Sequence, residues 1–139
     1  IDETRFHKQG DKTACVQRQY GGSRGKRDNC VVSVHLGYVA DDFHTPLDGE
    51  LYLPEETWHQ DRDRCREAGI PDDVVYRSKW EIALEQVQRA LGNGVRFAGL
   101  TLDEWYGGKP RFCGLWTAWD RTTWARFRST SWAGASLRR

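Results

Sequence analysis

Residues Lys79 to Leu91 limit the possible architectures more than any other stretch of this chain. Trp80, Ala83, Leu84, Val87, Ala90 and Leu91 recur at three- and four-residue intervals, which places them on one side of an amphipathic helix. Gly92-Asn93-Gly94 stops that helix, and Val95 to Leu102 then reads as a buried strand running straight into Asp103-Glu104-Trp105-Tyr106. A helix, a glycine stop and an apolar strand with an acid at its carboxyl end predict an α/β layered sheet. Sites in such sheets collect at the carboxyl ends of strands, which makes Asp103 a candidate. The competing reading of Asp103 is an aspartate that merely caps a turn.

Upstream, Thr13 to Tyr20 and Val31 to Val39 have strand character, the second rich in β-branched residues. The turn-rich Gly21–Asn29 connection between them predicts a long-looped hairpin. Its Gly25-Lys26 step is not a phosphate loop, because Arg27 replaces the required Ser or Thr and Tyr20 stands where the first Gly belongs. Ala40 to Asp73 reads as irregular chain, with a short helix over Glu56–Ala68 ended by Gly69-Ile70-Pro71.

Composition narrows the function classes. The 139 residues suit one domain or part of one. No run of about 18 apolar residues predicts a transmembrane helix, so no membrane partner is expected. Ile1-Asp2-Glu3-Thr4-Arg5 lacks the pattern of a signal peptide, and a cytoplasmic location is expected. The chain contains no Met, which predicts that Ile1 is not where the ancestral protein began. Net charge is +1, but six arginines against one aspartate from Arg111 onward give that stretch +5, leaving −4 on the first 110 residues. An acidic body is a poor electrostatic match for DNA as a whole, so any grip requires local patches. Cys15, Cys30, Cys65 and Cys113 form no C-x-x-C pair, and His7, His35, His44 and His59 form no H-E-x-x-H motif. The cysteines read as reduced thiols.

Read in order, several segments share one likeness. Ile1-Asp2-Glu3-Thr4 with Lys8-Gln9-Gly10, then Arg18-Gln19-Tyr20-Gly21, Asn29-Cys30 and Val32-Ser33-Val34, resemble the opening of DDE-type insertion-sequence transposases. Pro46 to Trp58, Ala68-Gly69-Ile70-Pro71, the helix from Lys79 and Thr101-Leu102-Asp103-Glu104-Trp105-Tyr106-Gly107 continue the same resemblance over about the first 112 residues. The resemblance implies a partial ribonuclease-H-like fold, α/β, with a mixed sheet and helices on both faces. It implies catalytic and metal-ligating roles for Asp2 and Asp103, whose hard oxygens suit Mg2+ (or Mn2+). Two such cations about 3.5–4 Å apart serve in-line attack on a phosphodiester. The implied partners are DNA, at transposon ends and target, and a second copy of the chain in a homo-oligomer, with association with the nucleoid. Glu3 and Glu104 adjoin the two ligands but point to opposite faces, as neighbours on a strand do. Lys79 is a candidate contact to DNA phosphate.

Two departures accompany the likeness. The first strand begins at Ile1 and is expected to be incomplete, with the C-terminal half of the domain missing. The third carboxylate, a glutamate on a later helix, has no candidate, because the only acid past Glu104 is Asp120. The expected organisation is a partial catalytic domain over 1–112 and an out-of-frame tail over 113–139 with little native structure. Permitted codons from Trp116, read one frame over, encode Asp-Arg-Leu-Gly-Gln-Asp-Tyr-Val-Gly-Glu-Val-Pro-Val-Asn-Phe, which resembles the family's own continuation. The chain is thus expected to be an inactive transposase fragment of marginal stability. The alternative is a non-catalytic nucleic-acid-binding or regulatory product that uses the basic tail and its Trp116, Trp119, Trp124 and Trp132.

Overall fold

The computed structural model describes residues 1–21, 26–102, 106 and 126–129, of which 20, 21, 26 and 126–129 are described by backbone alone. Asp103, Glu104 and the tail over 113–139 lie outside the described residues, except for the backbone of Arg126–Ser129.

The run Cys30-Val31-Val32-Ser33-Val34 favours extended chain, because branched side chains pack well on a pleated surface. It lies inside a 15-residue strand that organises the sheet. The strands are β1 (Asp2–His7), β2 (Gln17–Gly21), β3 (Lys26–Ala40) and β4 (Phe43–Leu51), all pairing antiparallel to β3. Cys30 faces both His7 and Gln17, and Val34 faces both Glu3 and Glu50. β1 therefore occupies one edge of β3, while β2 and β4 follow one another along the other.

The long-looped hairpin is present as β2–β3, with β3 beginning earlier than its apolar run. The stretch expected to be irregular after Ala40 instead starts with β4. Asp41, at φ 51°, makes the two-residue turn into it, a backbone region that aspartate tolerates. Pro46 has no N–H to give a ladder, and its pairing falls beside a register shift: Leu36 faces Asp48 while Gly37 faces Pro46, leaving Leu47 as the extra residue.

Alternation along β3 separates two cores. Val34 and Leu36 pack with Ile82, Ala83, Val87 and Ala90 of the helix expected from the sequence, and with Leu100 and Leu102. Val31, pointing the opposite way, packs with Cys15, Val16, Leu53, Trp58, Cys65 and Ile70. Each fully buried aliphatic side chain contributes about 1.5–3 kcal/mol, so the two clusters hold helices on both faces of the sheet.

The helix expected over Glu56–Ala68 is split. Its first part, Glu55–His59, is a π turn, with Gln60 N–H donating to Glu55 O at 3.1 Å. Asp61 then caps α1 (Arg62–Glu67) by accepting from Arg64 N. α2 spans Lys79–Gly92 and starts where the Glu81 carboxylate accepts from both Ser78 N and Ser78 Oγ. Both helices end alike. Gly69 and Gly94 adopt φ of 75° and 81°, and the next residue's N–H reaches back, Ile70 to Cys65 O and Val95 to Ala90 O. Val95 is consumed by this termination, so the strand expected from it narrows to β5 (Gly99–Leu102).

β5 pairs in parallel with β6 (Arg126–Ser129). The chain is α/β, as expected. Among the described residues, however, its parallel and antiparallel pairings belong to separate sheets rather than to one mixed sheet.

Two predictions follow from the packing. A Cβ on Gly49 would sit 2.7 Å from His35 Nδ1, and His35 is itself fixed by Ser33 Oγ at 2.6 Å. Gly49→Ala is expected to lower stability by about 1–3 kcal/mol in urea denaturation, and His35→Ala is expected to restore part of it. The second concerns alkaline pH. Burial, aided by Cys65, pushes the Cys15 thiol from 9.0 up to about 11. Burial, aided by Tyr76, lifts Tyr52 from 10.0 to about 12. Both groups become charged on losing a proton, so the unfolded chain ionises first as pH rises. These groups leave stability unchanged below about pH 9 and lower it progressively above. Urea midpoints at about pH 8 and about pH 10 are expected to show that fall, and Cys15→Ala to shrink it.

Candidate active site

Alternation along β1 assigns different surroundings to its two leading acids. Asp2 lies opposite His35 and is exposed, with Oδ1 accepting from Glu3 N at 2.7 Å. It borders a cavity of about 510 Å³ lined by Thr4, His35, Leu47, Phe97 and Thr101 among others. At the same place the Ile1 backbone nitrogen donates to Thr101 O at 2.8 Å. The start of β1 is thereby joined to β5, two residues before Asp103 in the chain. Asp103, the other sequence-level candidate, lies outside the described residues.

Glu3 points the other way, toward α2, and its side chain is only 9% exposed. Lys79 Nζ lies 2.7 Å from Glu3 Oε2, the Tyr106 hydroxyl donates to Glu3 Oε1 at 3.3 Å, and Arg5 approaches to 3.6 Å. Tyr106 is fully buried. Lys79 also lies over the Tyr52 ring, 5.3 Å from its centroid. The lysine singled out as a phosphate contact is thus largely enclosed, with its charge directed at Glu3. Sequence reasoning placed Glu3 on the face away from Asp2 but missed its role as a hub. The available signal was an acid facing the first residue of an amphipathic helix.

A second set of charges orients the same helix. Arg77 bridges Glu50 on β4 and Glu85 on α2, and Arg89 meets Asp48 at 2.8 Å.

The described residues contain no cluster of three or more His, Cys, Asp or Glu that converges on one point. Asp2 nevertheless suits a hard cation, since its exposed carboxylate is engaged, among the described residues, only by the Glu3 N–H. Glu3, whose oxygens are occupied by Lys79 and Tyr106, does not.

Residues 1–135 match the family model described as DDE superfamily endonuclease. The chain is also 36% identical over 107 residues to a protein of Microchaete diplosiphon named as a probable transposase for insertion sequence element IS701. That alignment covers 77% of this chain and 25% of the relative, so the chain spans about a quarter of the relative's length. No solved structure matches.

Glu3→Gln keeps an acceptor for Tyr106 but removes the negative charge facing Lys79. It is expected to lower stability by about 1–3 kcal/mol, below the full effect of breaking a buried pair because both side chains retain some exposure. In a double-mutant cycle, Glu3→Gln with Lys79→Met is expected to be less destabilised than the two single changes added together.

Proposed function

The chain belongs to the DDE superfamily endonucleases, and we propose that it is part of the catalytic domain of an insertion-sequence transposase, the protein that cuts DNA at the ends of its element and joins them to a target. In this proposal the fold is ribonuclease-H-like, and Asp2 and Asp103 are two of its catalytic carboxylates. The observation that carries it is the hydrogen bond from the Ile1 backbone nitrogen to Thr101 O. Through it the strand that begins with Asp2 meets the strand that leads to Asp103.

The residues divide the work by position. Asp2 offers its exposed oxygens on the cavity side as a ligand for Mg2+ or Mn2+. Bound there, such a cation would polarise the scissile phosphate and make the attacking oxygen more acidic. Glu3 stays outside the ligand set, because Lys79 and Tyr106 hold its carboxylate on the opposite face. A phosphate contact by Lys79 requires exchange of that carboxylate for a phosphate oxygen. DNA is the substrate, a second copy of the chain the partner, and the nucleoid the site of action. Residues 1–139 alone are proposed not to complete cleavage, since the acids after Asp103 are Glu104 and Asp120. Residues 113–139 are proposed to derive from a shifted reading frame, which the nucleotide sequence of the locus decides.

Paramagnetic Mn2+ titrated against the isotope-labelled chain tests the carboxylate assignment by NMR. Broadening is expected to centre on Ile1–Thr4 and Thr101–Glu104. Asp2→Asn and Asp103→Asn should each weaken Mn2+ binding by more than the roughly 10- to 100-fold typical of outer-shell partners. Broadening scattered over surface acids, and unchanged in both variants, would sink the assignment.

A further inference from the structure

The −4 carried by the first 110 residues conceals a division. Residues 5–27 hold Arg5, Lys8, Lys12, Arg18, Arg24, Lys26 and Arg27 against the single acid Asp11, a net +6. Residues 28–110 hold 8 basic and 16 acidic side chains, a net −8. Positive charge on the body is therefore concentrated in one segment.

The sheet gathers that segment into a surface. Arg18 faces Asn29 across β2 and β3, and Lys8 N–H donates to Asn29 O at 2.9 Å on the other side. Lys8, Asn29 and Arg18 thus lie in one row across three strands. Arg27, two residues before Asn29, points to the same face. Lys8, Arg18 and Arg27 are all exposed and line a cleft of about 680 Å³ together with His7, Asp28 and Asn29. Asn29 Nδ2 donates to Gly10 O at 2.8 Å and fixes the turn that follows Lys8.

This surface stands in register with Asp2. Asp2, Thr4 and Phe6 alternate down one face of β1, Lys8 continues the row just past its end, and all four are exposed. Six residues at about 3.3 Å each put Lys8 about 20 Å from Asp2. One strand of duplex DNA advances about 3.4 Å per base pair, so that span corresponds to about six base pairs.

We propose that Lys8, Arg18 and Arg27 grip the phosphate backbone of duplex DNA about six base pairs from the phosphate presented to Asp2. The spacing rests on the catalytic role proposed for Asp2; the grip itself rests on the cleft. These side chains contact phosphate and not bases, so they hold DNA without reading its sequence.

The test is fluorescence anisotropy of a labelled duplex of about 30 base pairs with the full chain over a salt series. The slope of log affinity against log salt is expected to shrink by about 0.9 for each of Lys8→Ala, Arg18→Ala and Arg27→Ala. Exposed Arg96 serves as the control, with Arg96→Ala expected to keep the original slope. Lys8→Arg and Arg18→Lys should also keep it, and far-UV circular dichroism checks that each variant folds. A triple alanine variant with the unaltered chain's slope overturns the proposal, as does absence of DNA binding by the unaltered chain at low salt. Failure of the Mn2+ experiment alongside a reduced slope removes the catalytic assignment and leaves the surface standing. The reverse pair of results does the opposite.

Discussion

Both edges of β3 are hydrogen-bonded, and most of the structure depends on that. A slip of one residue would carry Val34 and Leu36 out of the α2 core and drive His35 into it. The two-sided pairing forbids this, because β1 and the β2–β4 pair would have to slip together. The same register decides the fate of two adjacent acids. Asp2 shares a face with His35 and meets solvent, whereas Glu3 shares a face with Val34 and meets Lys79. One alternation thus separates an acid available to a cation from an acid that serves the fold.

Ionic contacts set the direction of α2 more than they secure it. Partly exposed pairs such as Arg89 with Asp48 contribute about 0–1 kcal/mol each, less than one buried aliphatic side chain. Their value is geometric. Lys79 ties the start of the helix to β1, Arg77 its first turns to β4, and Arg89 its last turn to β4. With these three points fixed, the apolar face of α2 can meet Val34 and Leu36 in one orientation only. On the opposite face Trp58 has the matching role, donating from Nε1 to Val16 O at 2.7 Å beneath the Arg64 guanidinium.

The parts of the fold readable in advance are those governed by local rules. α2 was visible in its spacing, both helix ends in Gly69 and Gly94, and the axis of β3 in its valines. β4 was not, because Pro46, Asp48 and Gly49 have poor strand propensity and are extended by pairing with β3 alone. The π turn likewise follows from Trp58 needing to reach Val16, a tertiary demand without a local signature. At the site, the opposed directions of Asp2 and Glu3 were legible from strand geometry. The enclosure of Lys79 was not, since it requires knowing what lies across from the helix terminus. The basic cleft escaped notice because charge was averaged over a span in which +6 and −8 nearly cancel.

Among the described residues, the bonds that bring the two candidate segments together are the longest-range hydrogen bonds. Ile1 to Thr101 spans 100 residues and Glu3 to Tyr106 spans 103, while the β3–β4 turn closes over two. Loop-closure entropy rises with the length enclosed, so closing the β2–β3–β4 meander costs less than closing either long loop. The bonds that join the start of β1 to Thr101 and Tyr106 are therefore the costlier ones to close. An insertion between Gly92 and Gly99 would therefore raise the entropic cost of joining the start of β1 to β5, while leaving the closure of the β2–β3–β4 meander as it is.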